Sequence, residues 1–213
     1  LLISSGIYES TIAAASSHNS TAERQYRFPL EYGGQRTPTA QWTVTGAGAY
    51  VLMSDGNGPH IAGVMPGRTV ERGIDDANNM GAAMAPAVID TLTRYFTQTG
   101  TSPADYDLIA TGDLGVEGHG IVSELMKNEG YDMGENYNDC GMLIYDIEKQ
   151  DMHAGASGCG CSAVVLAASL LERIKCGELN DILFIGTGAL MNPMSVQQGQ
   201  AIPGIAHLVR IKK

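Results

Sequence analysis

Two stretches constrain the fold more than any others, Asp107-Leu-Ile-Ala-Thr-Gly-Asp113 and Asp181-Ile-Leu-Phe-Ile-Gly-Thr-Gly188. Each is an apolar run too short for a helix, opened by an aspartate and closed by glycine. Apolar residues at successive positions, with no polar alternation, read as a strand covered on both faces. Helical patterns surround these strands. From Asn78 to Thr97, the residues Met80, Met84, Ala87, Val88, Thr91, Leu92 and Tyr95 fall on one face at helical spacing, with Gly100 as a stop and Pro86 as a kink site. A second helix is expected from about Gly120 to Lys127, ending before Gly130, and a third from Ser162 to Cys176, ending at Gly177. Strands alternating with helices specify an α/β fold with a largely parallel sheet.

Five more segments read as strands. Ser10 to Ser16, rich in small and β-branched residues, is expected to be buried on both faces. The run WTVTGAGAYVLMSDG reaches Asp55, and Gly56-Asn-Gly58 turns it into HIAGVMPGRTV, which together predict a hairpin. Cys140 to Tyr145 and Ile205 to Ile211 complete the set. Leu1 to Ser5 reads as the end of a helix stopped by Gly6, so the chain is expected to begin inside a larger fold. The polar stretch from His18 to Pro38, which carries Arg24, Arg27 and Arg36, reads as a solvated loop.

A chain of 213 residues buries roughly 70% of its unfolded surface and needs no metal or disulfide to fold. Its net charge of −10 repels phosphate backbones, which argues against nucleic acid as the partner. No run approaches the roughly eighteen apolar residues of a membrane helix. Cys140, Cys159, Cys161 and Cys176 match neither a disulfide framework nor paired zinc ligands, and fit reduced thiols.

Open α/β sheets collect ligands at the carboxyl ends of their strands. Three glycine-rich loops fall there: Thr111-Gly112-Asp113, Gly155 to Cys161, and Gly186-Thr-Gly188. They form the candidate pocket. Cys159 and Cys161 are open to two readings, a thiolate activated at a helix start or small residues where a helix approaches a sheet; their small neighbours favour packing. His153 is open between a base and a structural residue, and His18, which follows a strand, reads as a hydrogen-bonded loop residue. His60, His119 and His207 have no companion at useful spacing. Asp139 either orients a ligand or caps a turn.

The runs VTGAGAYVL, GASGCGCSAVV and ILFIGTGAL resemble the glycine-rich segments of thiolases and condensing enzymes. More specifically, ASSHNSTAERQYRFPLEYGGQ, DDANNMGAAMAP, YDLIATGDLG, NDCGMLIY and QQGQAIPGIAH resemble the stage V sporulation protein AD family of spore-forming bacteria over nearly the whole chain. The resemblance implies a thiolase-like layered α/β/α/β/α fold, with residues 1–70 the remainder of an N-terminal half, 71–213 the C-terminal half, and about the first third lacking. The nucleophilic cysteine of thiolases would lie in that lacking part, before Leu1.

The resemblance further implies altered or lost catalysis. Where condensing enzymes carry a His or Asn after the strand corresponding to Asp107-Leu-Ile-Ala-Thr, this chain has Gly112-Asp113, and an ionised aspartate opposes an oxyanion. The implied function is non-catalytic binding of dipicolinic acid, or its calcium chelate, in spore formation or germination. The implied ligand-binding residues are Gly112, Asp113, Asp139, Cys140, Cys159, Gly160, Cys161 and Gly188, with no catalytic residue, metal or cofactor. Aspartates near the site would favour the calcium chelate. The implied partners are membrane proteins of the same sporulation transport system and a second copy in a homodimer. The implied location is the cytoplasm of the forespore or spore core, near its inner membrane. The alternative is an acyl-thioester condensing or thiolytic enzyme in which Asp113, His153 or a cysteine has taken over the chemistry.

Overall fold

The computed structural model describes residues 3, 5–18 and 37–213. The expected arginine-bearing loop falls largely outside them. The strands and helices are β1 (Ser10–Ser17), β2 (Trp42–Thr43), β3 (Gly46–Met53), β4 (His60–Met65), α1 (Met80–Thr99), β5 (Leu108–Thr111), α2 (Gly115–Asn128), β6 (Tyr137–Asp139), α3 (Cys140–Leu143), β7 (Ala156–Ser157), α4 (Cys159–Val165), α5 (Leu171–Cys176), β8 (Asp181–Ala189), α6 (Pro193–Gln197) and β9 (Gly204–Lys212).

The main sheet has the order β4-β9-β8-β5-β6. β5 is parallel to both β6 and β8, whereas β9 runs antiparallel to β8 and β4. All four residues of β5 are buried, as the unbroken apolar run requires. Side chains alternate across the sheet. Ile109, Leu183 and Ile185 join Leu92, Phe96 and Leu114 on the α1–α2 side, while Leu108, Ala110 and Ile182 join Val165, Leu170 and Ile174 on the α4–α5 side. Burying each large aliphatic or aromatic side chain contributes about 1.5–3 kcal/mol.

Helix α1 starts where Asn79 accepts from the Ala82 N–H at 3.1 Å and stops at Gly100, whose φ of 67° is left-handed. It runs through Pro86, which has no N–H to offer the Ala82 carbonyl. Helix α2 begins at Gly115, five residues before the sequence expectation, because the Asp139 carboxylate satisfies its first backbone N–H groups.

Three expectations need correction. Cys140 to Leu143 is a helical turn rather than a strand, since Asp139 accepts from the Gly141 N–H at 2.9 Å and caps it. The strand lies just before, at Tyr137–Asp139. The predicted hairpin does not form: β3 pairs antiparallel with β1, from Ser10 opposite Met53 to Ser17 opposite Gly46, and β4 pairs with β9. Turn residues join two strands in sequence but do not choose their partners. β1, expected to be buried on both faces, is exposed over Ser10–Ala14. β4 lies before residue 70, yet it is the edge strand of the sheet built by the later segment.

The α4–α5 helix carries a π segment at Leu166–Leu170. The Tyr50 hydroxyl donates to the Ala163 carbonyl, and the Ala167 N–H donates to the Tyr50 oxygen. A side chain is thereby inserted between two groups that would pair with each other in an α-helix, which is a recognised cause of local unwinding. The same contact holds the β1–β3 sheet against the helix, where Gly48 leaves no room for a side chain: a Cβ would lie 2.6 Å from the Ala163 carbonyl oxygen. The described residues therefore stack as helices α1 and α2, the five-stranded sheet, the α4–α5 helix and the β1–β3 sheet.

Candidate functional site: the cleft at Asp113

A cleft of about 830 Å³ opens between the end of β1, the β2–β3 corner, the start of α1, the loop after β5, the start of α4 and the end of β8. This is the carboxyl edge of β5 and β8, where an α/β sheet gathers ligands. Asp113 lies in its wall and is 8% exposed. Oδ1 accepts from the Thr187 hydroxyl at 2.7 Å, and Oδ2 accepts from the Gly158 N–H at 2.8 Å. The Asp113 N–H donates to Thr187 Oγ1 at 3.1 Å, and its carbonyl accepts from Gln41 Nε2 at 2.8 Å. Three of the glycine-rich segments are thereby tied through one residue. Burial raises the Asp113 carboxyl above the usual carboxylate range, opposed by the Thr187 and Gly158 donors.

Of the ligand-binding residues expected from sequence, Asp113, Cys159 and Gly188 line this cleft. Gly112 stands behind it, where a Cβ would meet Thr187 Oγ1 at 2.7 Å. Gly160 is packed: a Cβ would lie 2.5 Å from the Gly46 carbonyl oxygen and 2.4 Å from Ser17 Oγ, and its N–H donates to Ser17 Oγ at 3.0 Å. Cys140 and Cys161 are buried in the interior, and burial pushes both thiols well above their ordinary value. Cys159 is exposed, and its thiol donates to the Ser16 carbonyl at 2.9 Å. The two cysteines that are alike in sequence have opposite environments, because the first turn of α4 points one to the cleft and the other into the core.

Asp139 caps rather than faces the cleft. It is fully buried, and its carboxylate accepts from Thr111 Oγ1 at 2.6 Å and from the N–H groups of Leu114, Gly115 and Gly141, each at 2.9 Å. Burial pushes its carboxyl up to about 7, against the pull of the Thr111, Gly115 and Leu114 donors. It fixes the loop that presents Asp113, since Leu114 and Gly115 follow directly.

His153 is not brought to the cleft. It sits at φ 49° in a loop, with Nδ1 2.8 Å from the Thr37 carbonyl oxygen. His18, at the end of β1, does line the cleft, as do Thr43, Thr45 and Ser157. Sequence spacing gave no signal for these three hydroxyls, because short β2 and β7 pair across more than a hundred residues. His119 stacks on Tyr137 at 4.3 Å, and His207 accepts from the Gly67 N–H, so both serve packing. Among the described residues no cluster of three His, Cys, Asp or Glu side chains is placed to hold a metal ion.

The family model described as Stage V sporulation protein AD matches residues 1–212. The chain belongs to this family. Stage V sporulation protein AD of Bacillus subtilis (strain 168) is 45% identical over 206 residues, covering 97% of this chain and 61% of the relative. The chain thus spans about three fifths of the length of that curated relative. Among solved structures, 3-oxoacyl-[acyl-carrier-protein] synthase III from Aquifex aeolicus VF5 aligns with a TM-score of 0.57 at 14% identity, over all of this chain and 60% of that one. The tetronic acid condensing enzyme AbyA1 aligns with a TM-score of 0.58 at 13% identity, over all of this chain and 62% of that one. At such identities the likeness concerns the fold, which is thiolase-like, in agreement with the layering described above. No helix among the described residues is long and apolar enough to cross a membrane.

Proposed function

We propose that this chain supplies one wall of a non-catalytic cleft that binds dipicolinic acid, free or as its calcium chelate, in a sporulation protein. The observation that carries this reading is Asp113. Acyl-thioester chemistry needs a donor aimed at the developing oxyanion. At the end of β5 this family member presents a carboxylate whose two oxygens already accept from Thr187 and Gly158. The cleft volume falls in the range of small-molecule sites. A calcium ion arriving with the acid would find one carboxylate among the described residues that line the cleft, so on this wall it would be carried mainly by the ligand.

In this reading the protein works in the forespore or spore core beside the membrane proteins that move the acid, and its two halves, divided near residue 70, enclose the ligand between them. The rival reading, an altered condensing or thiolytic enzyme, is favoured by the exposed Cys159 thiol in the cleft. Calorimetric titration of the intact protein and of Asp113→Asn with dipicolinate, with and without calcium, tests the proposal. Heat of binding is expected for the wild type. If binding needs calcium, the Asp113→Asn change weakens it; if the free dianion binds, the change strengthens it. Absence of heat in both conditions overturns the reading, and steady acyl-thioester turnover above the uncatalysed rate puts the enzyme in its place.

A further inference from the structure

The lining of the cleft is chemically mixed. Asp113, Thr187 and Ser157 are polar, and Met80 and Met84, from the first turns of α1, are apolar. These methionines are four residues apart and so lie on one face of the helix. Met84 is 1% exposed and held by the core, whereas Met80 is half-buried with its surface toward the cleft. No lysine or arginine is among the described residues that line the cleft. Among the described lining residues only His18 can carry a positive charge, and a charge does not tell two dianions of matched shape apart, so that discrimination falls to the apolar lining. A thioether is polarisable, and sulfur favours contact with aromatic rings over saturated ones.

From this we infer that Met80, backed by the buried Met84, is a specificity-determining residue that selects a flat aromatic diacid over a saturated diacid of the same shape and charge. The inference rests on the binding reading above. The Met80 thioether offers an apolar, polarisable surface to the ring of a ligand whose carboxylates meet the polar residues of the same lining. Met80 is the accessible member and the residue to change. It is half-buried and also packs against the core, so the stability of each replacement is measured beside its binding.

The test uses the intact protein and two competitors for bound dipicolinate: benzene-1,3-dicarboxylate and cis-cyclohexane-1,3-dicarboxylate. Both are dianions with matched carboxylate placement, and neither has the ring nitrogen. The aromatic competitor is expected to displace dipicolinate about tenfold better. Met80→Gln should bring the two competitors to within about twofold and weaken dipicolinate itself, while Met80→Leu, which keeps the apolar surface but lacks sulfur, should fall between. If dipicolinate does not bind the wild type at all, the binding reading fails and this inference fails with it. If dipicolinate binds but the competitors do not differ, including the case in which neither displaces it, the binding reading stands and the methionine inference is overturned. A preference that survives unchanged in Met80→Gln overturns it equally.

Discussion

Thr187 and Asp113 hold each other across neighbouring parallel strands: the Thr187 hydroxyl donates to Asp113 Oδ1 at 2.7 Å and accepts the Asp113 N–H at 3.1 Å. One hydroxyl thus fixes both the side chain and the backbone of the residue that faces the cleft. Thr187→Val keeps the shape and removes both bonds, leaving a buried carboxylate with one donor fewer. A loss of about 1.5–3 kcal/mol is expected, read by urea unfolding, and Thr187→Ser should recover most of it. Equal stability of Thr187→Val and wild type would mean that this pair does not fix Asp113.

Asp139 makes stability depend on pH. Its folded-state carboxyl, at about 7, lies above the ordinary value of 3.8, so folding favours the protonated form. The contribution is fully present below about pH 4 and is lost as pH rises through about 7. Between pH 5 and pH 8 the wild type should lose roughly 2–3 kcal/mol of its advantage over Asp139→Asn, which does not titrate. Urea unfolding of both proteins at the two pH values measures the difference. An advantage that is constant, or that grows with pH, contradicts the assignment.

Gly160 sets two effects against each other. In a helix, alanine gains about 0.5–1 kcal/mol over glycine. At Gly160, however, a Cβ would lie 2.5 Å from the Gly46 carbonyl oxygen, so the backbone must shift, at a cost of about 1–3 kcal/mol. Gly160→Ala is therefore expected to lower stability on balance. Gly186→Ala, where a Cβ meets nothing within 4 Å, should be tolerated. Thermal unfolding of the two variants side by side checks the contrast.

The thiols should divide by environment. Cys159 and Cys176 are exposed and should be alkylated by iodoacetamide in the native protein, whereas Cys140 and Cys161 should react only on unfolding. Peptide mass spectrometry before and after urea reads this directly. Cys161→Leu should cost about 1–3 kcal/mol through overpacking, while Cys159→Leu, placed in the cleft, should leave stability nearly unchanged. Native labelling of Cys161 would contradict its placement in the core.

Tyr50→Phe removes the hydroxyl that enters the helix between Ala163 and Ala167. A loss of about 1 kcal/mol is expected, with faster amide exchange at Ala167, since the β1–β3 sheet loses one of its polar anchors to the helix. Unchanged exchange there would show that the π segment does not depend on the tyrosine.

Much of this was legible in the sequence. The unbroken apolar runs at Leu108 and Ile182 could only be covered strands, the periodicity from Met80 to Tyr95 could only be a helix, and Gly100 marks its end through its own backbone chemistry. These are local properties, carried by residues close in the chain. The place of Asp113 at the cleft was legible for the same reason, because it follows such a strand. Tertiary structure alone decided what depends on partners far away: that β3 joins β1 rather than β4, that Asp139 caps two helices, that Cys159 faces the cleft while Cys161 faces the core, and that Met80, Thr43 and Ser157 meet around Asp113. Strand pairing and burial are set by which surfaces the whole chain leaves uncovered, and no short window of sequence contains that information.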